Sequence, residues 1–79
     1  MTDDIQKLAA IVQRISQSKT TPEADESLFD SGYLDSFALT DLVAEIESEF
    51  GIQIPDSDLN PRRFDSLERI AEYLSSRGV

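Results

Sequence analysis

The chain has 79 residues, with 16 acidic side chains against 7 basic ones, so its formal net charge is −9, and it lacks His, Cys and Trp. This composition excludes disulfides, thiolate metal sites, a cysteine nucleophile and every catalytic arrangement that uses histidine as its base. A strongly negative chain repels nucleic acid, and no apolar run approaches the roughly 20 residues of a membrane span. We therefore expect a single small domain, residues 1–79, that is cytoplasmic, monomeric and not an enzyme.

The first predicted element is an amphipathic helix over about residues 3–17. Asp3, followed three residues later by Gln6, matches a capping box at its start. A long connection rich in Ser, Thr and Asp follows over residues 19–33, and we expect its Leu28-Phe29 pair to pin it to the core. The apolar positions that recur with helical spacing in this first helix are Ile5, Leu8, Val12 and Ile15.

The second helix has the clearest pattern. It is predicted to begin at Asp35 or Ser36 and to end at Gly51, a residue type favoured at helix C-termini. The segment 51–55 alternates like a strand, but because no partner strand is evident we expect an extended linker. The apolar stripe of this helix, which we assign to the core, consists of Leu39, Leu42, Val43, Ile46 and Phe50.

The last third of the chain carries two further helix signals. Asn60-Pro61, an N-cap residue followed by proline, predicts a short third helix within residues 56–63. Asp65 and Glu68 resemble a capping box, which predicts a last helix that continues to about Ser76. The predicted fold is therefore all-α: a four-helix bundle with three main helices, one short helix and a long first loop.

Charge is segregated along the chain. The segment between Thr20 and Pro61 contains eleven acidic residues and no basic one, so its charge is −11. Two interpretations remain open from charge alone. The acidic face could simply be solvated and keep a small protein soluble, or it could dock on a basic patch of a partner enzyme.

An acidic helical protein raises the question of calcium. Asp56, Asp58 and Asn60 match positions 1, 3 and 5 of an EF-hand loop. However, the glycine that the sharp turn requires is replaced by Pro61, and the bidentate glutamate is replaced by Leu67. We therefore expect no metal site here.

The segment Leu34-Asp35-Ser36-Phe37 stands where the second helix begins. A serine at this position lies next to free backbone N–H groups and the positive end of the helix dipole, which would stabilise a phosphate ester. The chain supplies no base that could activate Ser36, so a separate enzyme would have to modify it. The other interpretation is that Asp35 or Ser36 only caps the helix, and spacing alone favours it.

Nearly the whole chain, and not only the segment around Ser36, resembles the acyl carrier protein family. The resemblance is carried by residues 28–37 (LFDSGYLDSF), by residues 42–55 (LVAEIESEFGIQIP) and by the late FDSL segment at 64–67. It implies an acyl-carrier-like bundle in which Ser36 receives 4′-phosphopantetheine from coenzyme A. The thiol of that arm would then carry an acyl or aminoacyl group as a thioester between enzymes.

The resemblance also implies partners and docking residues. Asp35 would be part of what a phosphopantetheinyl transferase recognises, and the second helix would dock on basic patches of loading ligases and acceptor enzymes. The residues of this docking surface would be Phe37, Asp41, Ala44, Glu45 and Glu49.

The residues around Ser36 also indicate the class of pathway. They resemble those of D-alanyl carriers, and of discrete carriers of aminoacyl, polyketide or peptide pathways, more than those of housekeeping fatty-acid carriers. We therefore expect a stand-alone specialised carrier. The alternative is an unmodified acidic adaptor that binds a basic protein through the 36–50 helix.

Overall fold

A computed structural model gives the structure of the protein and describes the backbone of residues 2–79 and the side chains from Asp4 onward. It contains three α-helices, α1 (Thr2–Ser16), α2 (Ser36–Phe50) and α3 (Leu67–Ser76), and a 3-10 turn at Asp56–Asp58. The predicted all-α class is confirmed, and residues 2–79 include no strand. None of these helices is long and apolar enough to cross a membrane, within the part of the chain described. The capping box predicted at Asp3 lies outside the described side chains.

The core lies between α1 and the two later helices, each of which packs against α1. Their apolar stripes meet in one cluster, as the helical spacing predicted. Phe50 is the exception in the stripe of α2, because it is only partly buried and its ring lies 5.8 Å from the Lys7 ammonium. The stripe residues of α2 that are buried are Leu39, Leu42, Val43 and Ile46.

The long first loop is fastened to the start of α3. Leu28 is fully buried, and its backbone N–H donates to the carbonyl of Asp65 at 2.6 Å. The Ser27 hydroxyl donates to the Asp65 carboxylate at 2.7 Å, and the backbone N–H of Glu68 donates to the Ala24 carbonyl at 3.0 Å. These bonds satisfy polar groups of the loop that would otherwise be left without partners beside the core.

The short helix predicted within residues 56–63 is found as a 3-10 turn at Asp56–Asp58. It does not begin at Asn60-Pro61, which follows this turn in the described chain. The Asn60 side chain accepts the N–H of Arg62 at 2.9 Å, so the Asn60-Pro61 sequence forms a turn and not a helix start. Phe64, which follows this turn, is fully buried, and the carbonyl of Asp65 accepts the N–H of Leu28 from the first loop.

The capping box predicted at Asp65 and Glu68 is wrong. Ser66 is the N-cap of α3, with extended backbone angles and a hydroxyl that accepts the N–H of Arg69 at 3.2 Å. The Asp65 carboxylate instead faces the first loop, where it binds Ser27. The helix therefore starts at Leu67, one residue later than a cap at Asp65 would place it.

Candidate functional site at the start of α2

Asp35 caps α2, as one of the two sequence alternatives predicted. Its backbone is extended (φ −133°, ψ −173°), and its carboxylate accepts the N–H of Ala38 at 2.8 Å. Its carbonyl accepts the first helical bond, from the N–H of Leu39 at 3.0 Å. At the other end, Gly51 has left-handed backbone angles (φ 66°) and donates to the Glu47 carbonyl, so the predicted C-cap is confirmed.

Ser36 is the first residue of α2, and its side chain is exposed. Within the described chain, neither its own backbone N–H nor that of Phe37 has an acceptor, because the Asp35 carboxylate is bound to the next N–H along. Two free donors and the positive end of the helix dipole therefore lie beside the Ser36 hydroxyl. This arrangement fits a phosphodiester on Ser36, since the helix terminus would stabilise its negative charge.

The loop that leads to Ser36 is held from both sides. Leu34 is buried, and its N–H donates to the carbonyl of Leu28 at 3.0 Å. The Tyr33 hydroxyl is hydrogen-bonded to the Thr20 hydroxyl, with 2.8 Å between the oxygens. Ser36 therefore follows a segment that hydrogen bonds and burial hold in one conformation. A fixed conformation favours recognition of the serine by a partner.

One carboxylate of this loop has a shifted pKa. The backbone N–H of Glu23 donates to the Glu26 side chain at 3.0 Å. That bond, with a smaller contribution from Ser31, holds the pKa of Glu26 below its ordinary value of 4.5. The ionised form of Glu26 therefore stabilises the loop.

The five predicted docking residues all lie on α2, on its solvent side. Phe37 is 85% exposed, which is unusual for a phenylalanine and leaves its ring free for contact with another protein. Asp41, Ala44 and Glu49 are also exposed. Glu45 is half-buried and forms an ion pair with Arg14 of α1, with 2.6 Å between Nη2 and Oε2.

Not every acid of α2 belongs to this surface. The Glu47 carboxylate accepts the backbone N–H of Ile54 at 2.8 Å and so fastens the linker that follows the helix. The sequence patterns missed the contact of Arg14 with this surface, because nothing in the spacing of α1 indicates that Arg14 reaches Glu45. Only the packing of α1 against α2 brings these two side chains together.

In the described chain no side chain is hydrogen-bonded to the Ser36 hydroxyl, and the neighbouring Asp35 carboxylate accepts the N–H of Ala38. Among the described residues, no group of His, Cys, Asp and Glu is arranged to hold a metal ion. The arrangement leaves the Ser36 hydroxyl exposed at the start of α2.

Comparison with known proteins indicates the role of the chain. The family model described as "Phosphopantetheine attachment site" matches residues 6–74, which include Ser36 and all of α2. The chain belongs to this family. It is a carrier with a covalently attached 4′-phosphopantetheine, and such carriers act with other enzymes and do not catalyse reactions themselves. A transferase that attaches the arm and a ligase that loads it are therefore implied as partners.

The carrier is similar to several D-alanyl carrier proteins. It is 35% identical to that of Bacillus pumilus over 66 residues, which are 82% of this chain and 85% of the relative. It is 32% identical to that of Streptococcus thermophilus and 31% identical to that of Streptococcus sanguinis, each over 62 residues and 78% of both chains. The expected resemblance to specialised carriers is thus confirmed.

Proposed function

We propose that this protein is a discrete, single-domain carrier in which Ser36 bears the 4′-phosphopantetheine arm. The observation that supports this most is the geometry of the helix start. The hydroxyl of Ser36 is exposed, two free N–H groups lie beside it, and the family match spans it. The arm supplies a terminal thiol, which can hold an acyl or aminoacyl group as a thioester.

The residues around Ser36 have separate roles in this proposal. Asp35 orients the helix start and offers the transferase a carboxylate. Phe37 provides apolar contact, and the acidic surface of α2 provides charge that basic patches of the transferase, ligase and acceptor enzymes can bind. The protein would work as a monomer in the cytoplasm, where it would meet coenzyme A.

We further propose that the cargo is an aminoacyl group. The support is the likeness to proteins named as D-alanyl carriers, together with a motif that differs from housekeeping fatty-acid carriers. D-Alanine is the first cargo to test. Fatty acyl, polyketide and peptide intermediates are the competing cargoes.

The attachment is tested by the intact mass of the protein after incubation with coenzyme A and a phosphopantetheinyl transferase of broad carrier range. We expect the wild type to gain one phosphopantetheine and Ser36→Ala to gain none. Ser31→Ala is the matched control, because Ser31 is an exposed serine in the preceding loop, and it should be loaded. Modification of Ser36→Ala, or no modification of the wild type beside a working carrier, would refute the proposal.

The cargo is tested with the loaded protein, ATP, D-alanine and a D-alanine ligase taken from an organism that has a D-alanyl carrier. We expect a mass gain of one alanyl group, which hydroxylamine should release because it is a thioester. L-Alanine and a fatty acid with its own ligase are the comparison substrates. Loading with the fatty acid but not with D-alanine would overturn the aminoacyl assignment and leave the carrier function standing.

The alternative, an unmodified acidic adaptor, makes a different prediction. It requires binding to a basic protein that is weakened by Asp41→Lys and indifferent to the modification of Ser36. The family match does not favour it, since adaptors of that kind need no phosphopantetheine attachment site.

A further inference from the structure

Among the described residues, Arg14 of α1 is the cation that forms an ion pair with the docking surface of α2. Arg14, in the last turn of α1, reaches across to Glu45, and its guanidinium lies 2.6 Å from that carboxylate. The two side chains are 63% and 44% exposed, so both are accessible to a partner. They face a shallow groove of about 450 Å³ between α1 and α2, lined by Arg14, Ile15, Asp41, Ala44, Glu45 and Ser48. Three of the five proposed docking residues thus share a groove with Arg14.

The acids of this surface are therefore not equivalent. Glu45 is neutralised locally by Arg14, whereas Asp41 and Glu49 have no basic side chain within 4.0 Å among the described residues. Asp41 and Glu49 are eight residues apart, so they are separated by roughly 12 Å along the helix axis. Among the described residues, the docking surface thus has two carboxylates without an ion-pair partner, Asp41 and Glu49. Between them lies Glu45, which is paired with Arg14.

A partner's cation that approaches Glu45 has to displace Arg14 or bind next to it. Displacement loses one exposed ion pair and places two cations close together, and both effects oppose binding. A cation that approaches Asp41 or Glu49 meets neither obstacle. Partners with basic groups at the two outer positions are thus favoured over partners that rely on the central one.

We propose that Arg14 is a specificity-determining residue, which occupies Glu45 and so selects partners that bind through Asp41 and Glu49. This inference rests on the proposed carrier function. The partner it fits is an enzyme whose basic patch has two cations about 12 Å apart and no cation between them. An enzyme that needs a cation at the central position docks more weakly on this carrier.

A purely structural role for Arg14 makes a different prediction. If the ion pair only held α1 against α2, its removal would lower the stability of the bundle and leave docking unchanged. An exposed pair contributes little to stability, so the bundle should tolerate its loss. The experiment therefore measures docking and stability separately.

The experiment follows the rate of Ser36 loading by a phosphopantetheinyl transferase of broad carrier range, at increasing carrier concentration. Such a transferase has not adapted to Arg14. Four proteins are compared in a double-mutant cycle: the wild type, Arg14→Gln, Glu45→Gln and the double variant. Lys19→Gln is the matched control, since it removes one positive charge at an exposed position where no ion pair forms within the described chain. Melting temperatures establish that each variant is folded.

We expect Arg14→Gln to lower the KM for the carrier about two- to fivefold, the range that one exposed ion pair allows, with the effect confined to KM. The KM should also rise more steeply with salt, because a freed carboxylate adds to the electrostatic attraction. In the Glu45→Gln background, the same change at Arg14 should lower the KM no more than Lys19→Gln does.

Equal effects of Arg14→Gln in both backgrounds would overturn the inference, because they would show a general charge effect. An unchanged KM together with a lower melting temperature would also overturn it and assign Arg14 a structural role. If no variant is loaded while a control carrier is, the proposed function fails as well. Loading that is normal but insensitive to Arg14 refutes only this inference.

Discussion

The two later helices begin with nearly the same sequence, Leu34-Asp35-Ser36-Phe37 in α2 and Phe64-Asp65-Ser66-Leu67 in α3. In each, the side chain of one residue accepts the backbone N–H three positions later, yet the capping residue differs. In α2 the aspartate caps and the serine becomes the first helical residue, whereas in α3 the serine itself caps. The helix start is shifted by one residue between two segments of matching residue types.

That shift determines what each serine can do. Ser66 is 7% exposed, and its hydroxyl is engaged by the N–H of Arg69. The second N–H of α3, that of Glu68, is bound to the loop carbonyl of Ala24. Ser36 is exposed, and the N–H groups of Ser36 and Phe37 have no acceptor among the described residues. Both segments contain Asp-Ser, but Ser36 is exposed, whereas Ser66 is buried and its hydroxyl is bound.

The cause of the shift lies outside both motifs. The Asp65 carboxylate is bound to Ser27 and its carbonyl to the N–H of Leu28, so the first loop holds this residue away from the helix end. No comparable contact engages the Asp35 carboxylate, which is exposed and turns back to Ala38. At the start of α3, long-range contacts with the first loop therefore decide which residue caps, whereas at the start of α2 the locally predicted cap is kept.

The largest expected effect comes from exchanging each serine for alanine. Ser66→Ala should lower the free energy of unfolding by about 1–2 kcal/mol, because the α3 cap is lost and a partly buried N–H is left unpaired. Ser36→Ala should change it by less than about 0.5 kcal/mol, since alanine is a good helix former at an exposed position. Urea unfolding followed by circular dichroism measures both.

The attachment of phosphopantetheine should be affected in the opposite order, with the larger loss in Ser36→Ala. Ser66→Ala should still be modified at a temperature where it is folded, and Ser36→Ala should not. Equal losses of stability in Ser36→Ala and Ser66→Ala would show that the two helix starts are capped equivalently and would contradict the difference between them.

A smaller effect is expected at the acid that caps α2. Asp35→Ala should cost about 1 kcal/mol of stability, whereas Asp35→Asn should be nearly neutral, because asparagine is an equally good N-cap. Asp35→Asn nevertheless removes the charge offered to the transferase, so we expect slower loading of a protein of unchanged stability. Undiminished loading of Asp35→Asn would restrict Asp35 to its capping role. Thermal melts and initial loading rates provide both readouts.

The smallest effect concerns pH. The folded protein holds the pKa of Glu26 below its ordinary value, so this group stabilises the native state above about pH 4.5, the ordinary pKa of glutamate. That contribution is lost as the pH falls through the lowered folded-state value. Melting temperatures between pH 6 and pH 3 should therefore decline slightly less for Glu26→Gln than for the wild type. Parallel curves would show that the bond from Glu23 does not matter for stability.

Patterns with a short range in the sequence predicted the fold well. Helical spacing located the three α-helices and the core stripe, and Asp35 and Gly51 marked the ends of α2, because caps depend on local backbone angles. The error in the cap of α3 has a physical source. There the loop from residues 24–28 binds Asp65 and Glu68, and such tertiary contacts leave no local signal.

The same limit applies to the candidate site. The acidic stripe could be predicted from the sequence because it lies within α2, and the role of Ser36 was implied by the resemblance of the surrounding residues to a known family. The ion pair between Arg14 and Glu45 could not be predicted, because 31 positions separate its partners.

Peptide mapping of the modified protein would show directly whether Ser36, and not Ser66, is the attachment site. After loading with coenzyme A and the transferase, the wild-type protein is digested, and fragmentation locates the added group among the serines. We expect phosphopantetheine on Ser36 alone, with Ser66 unmodified in the same sample. Phosphopantetheine on Ser66, or on any serine other than Ser36, would contradict the claim that the capping arrangement at the two helix starts selects the attachment site.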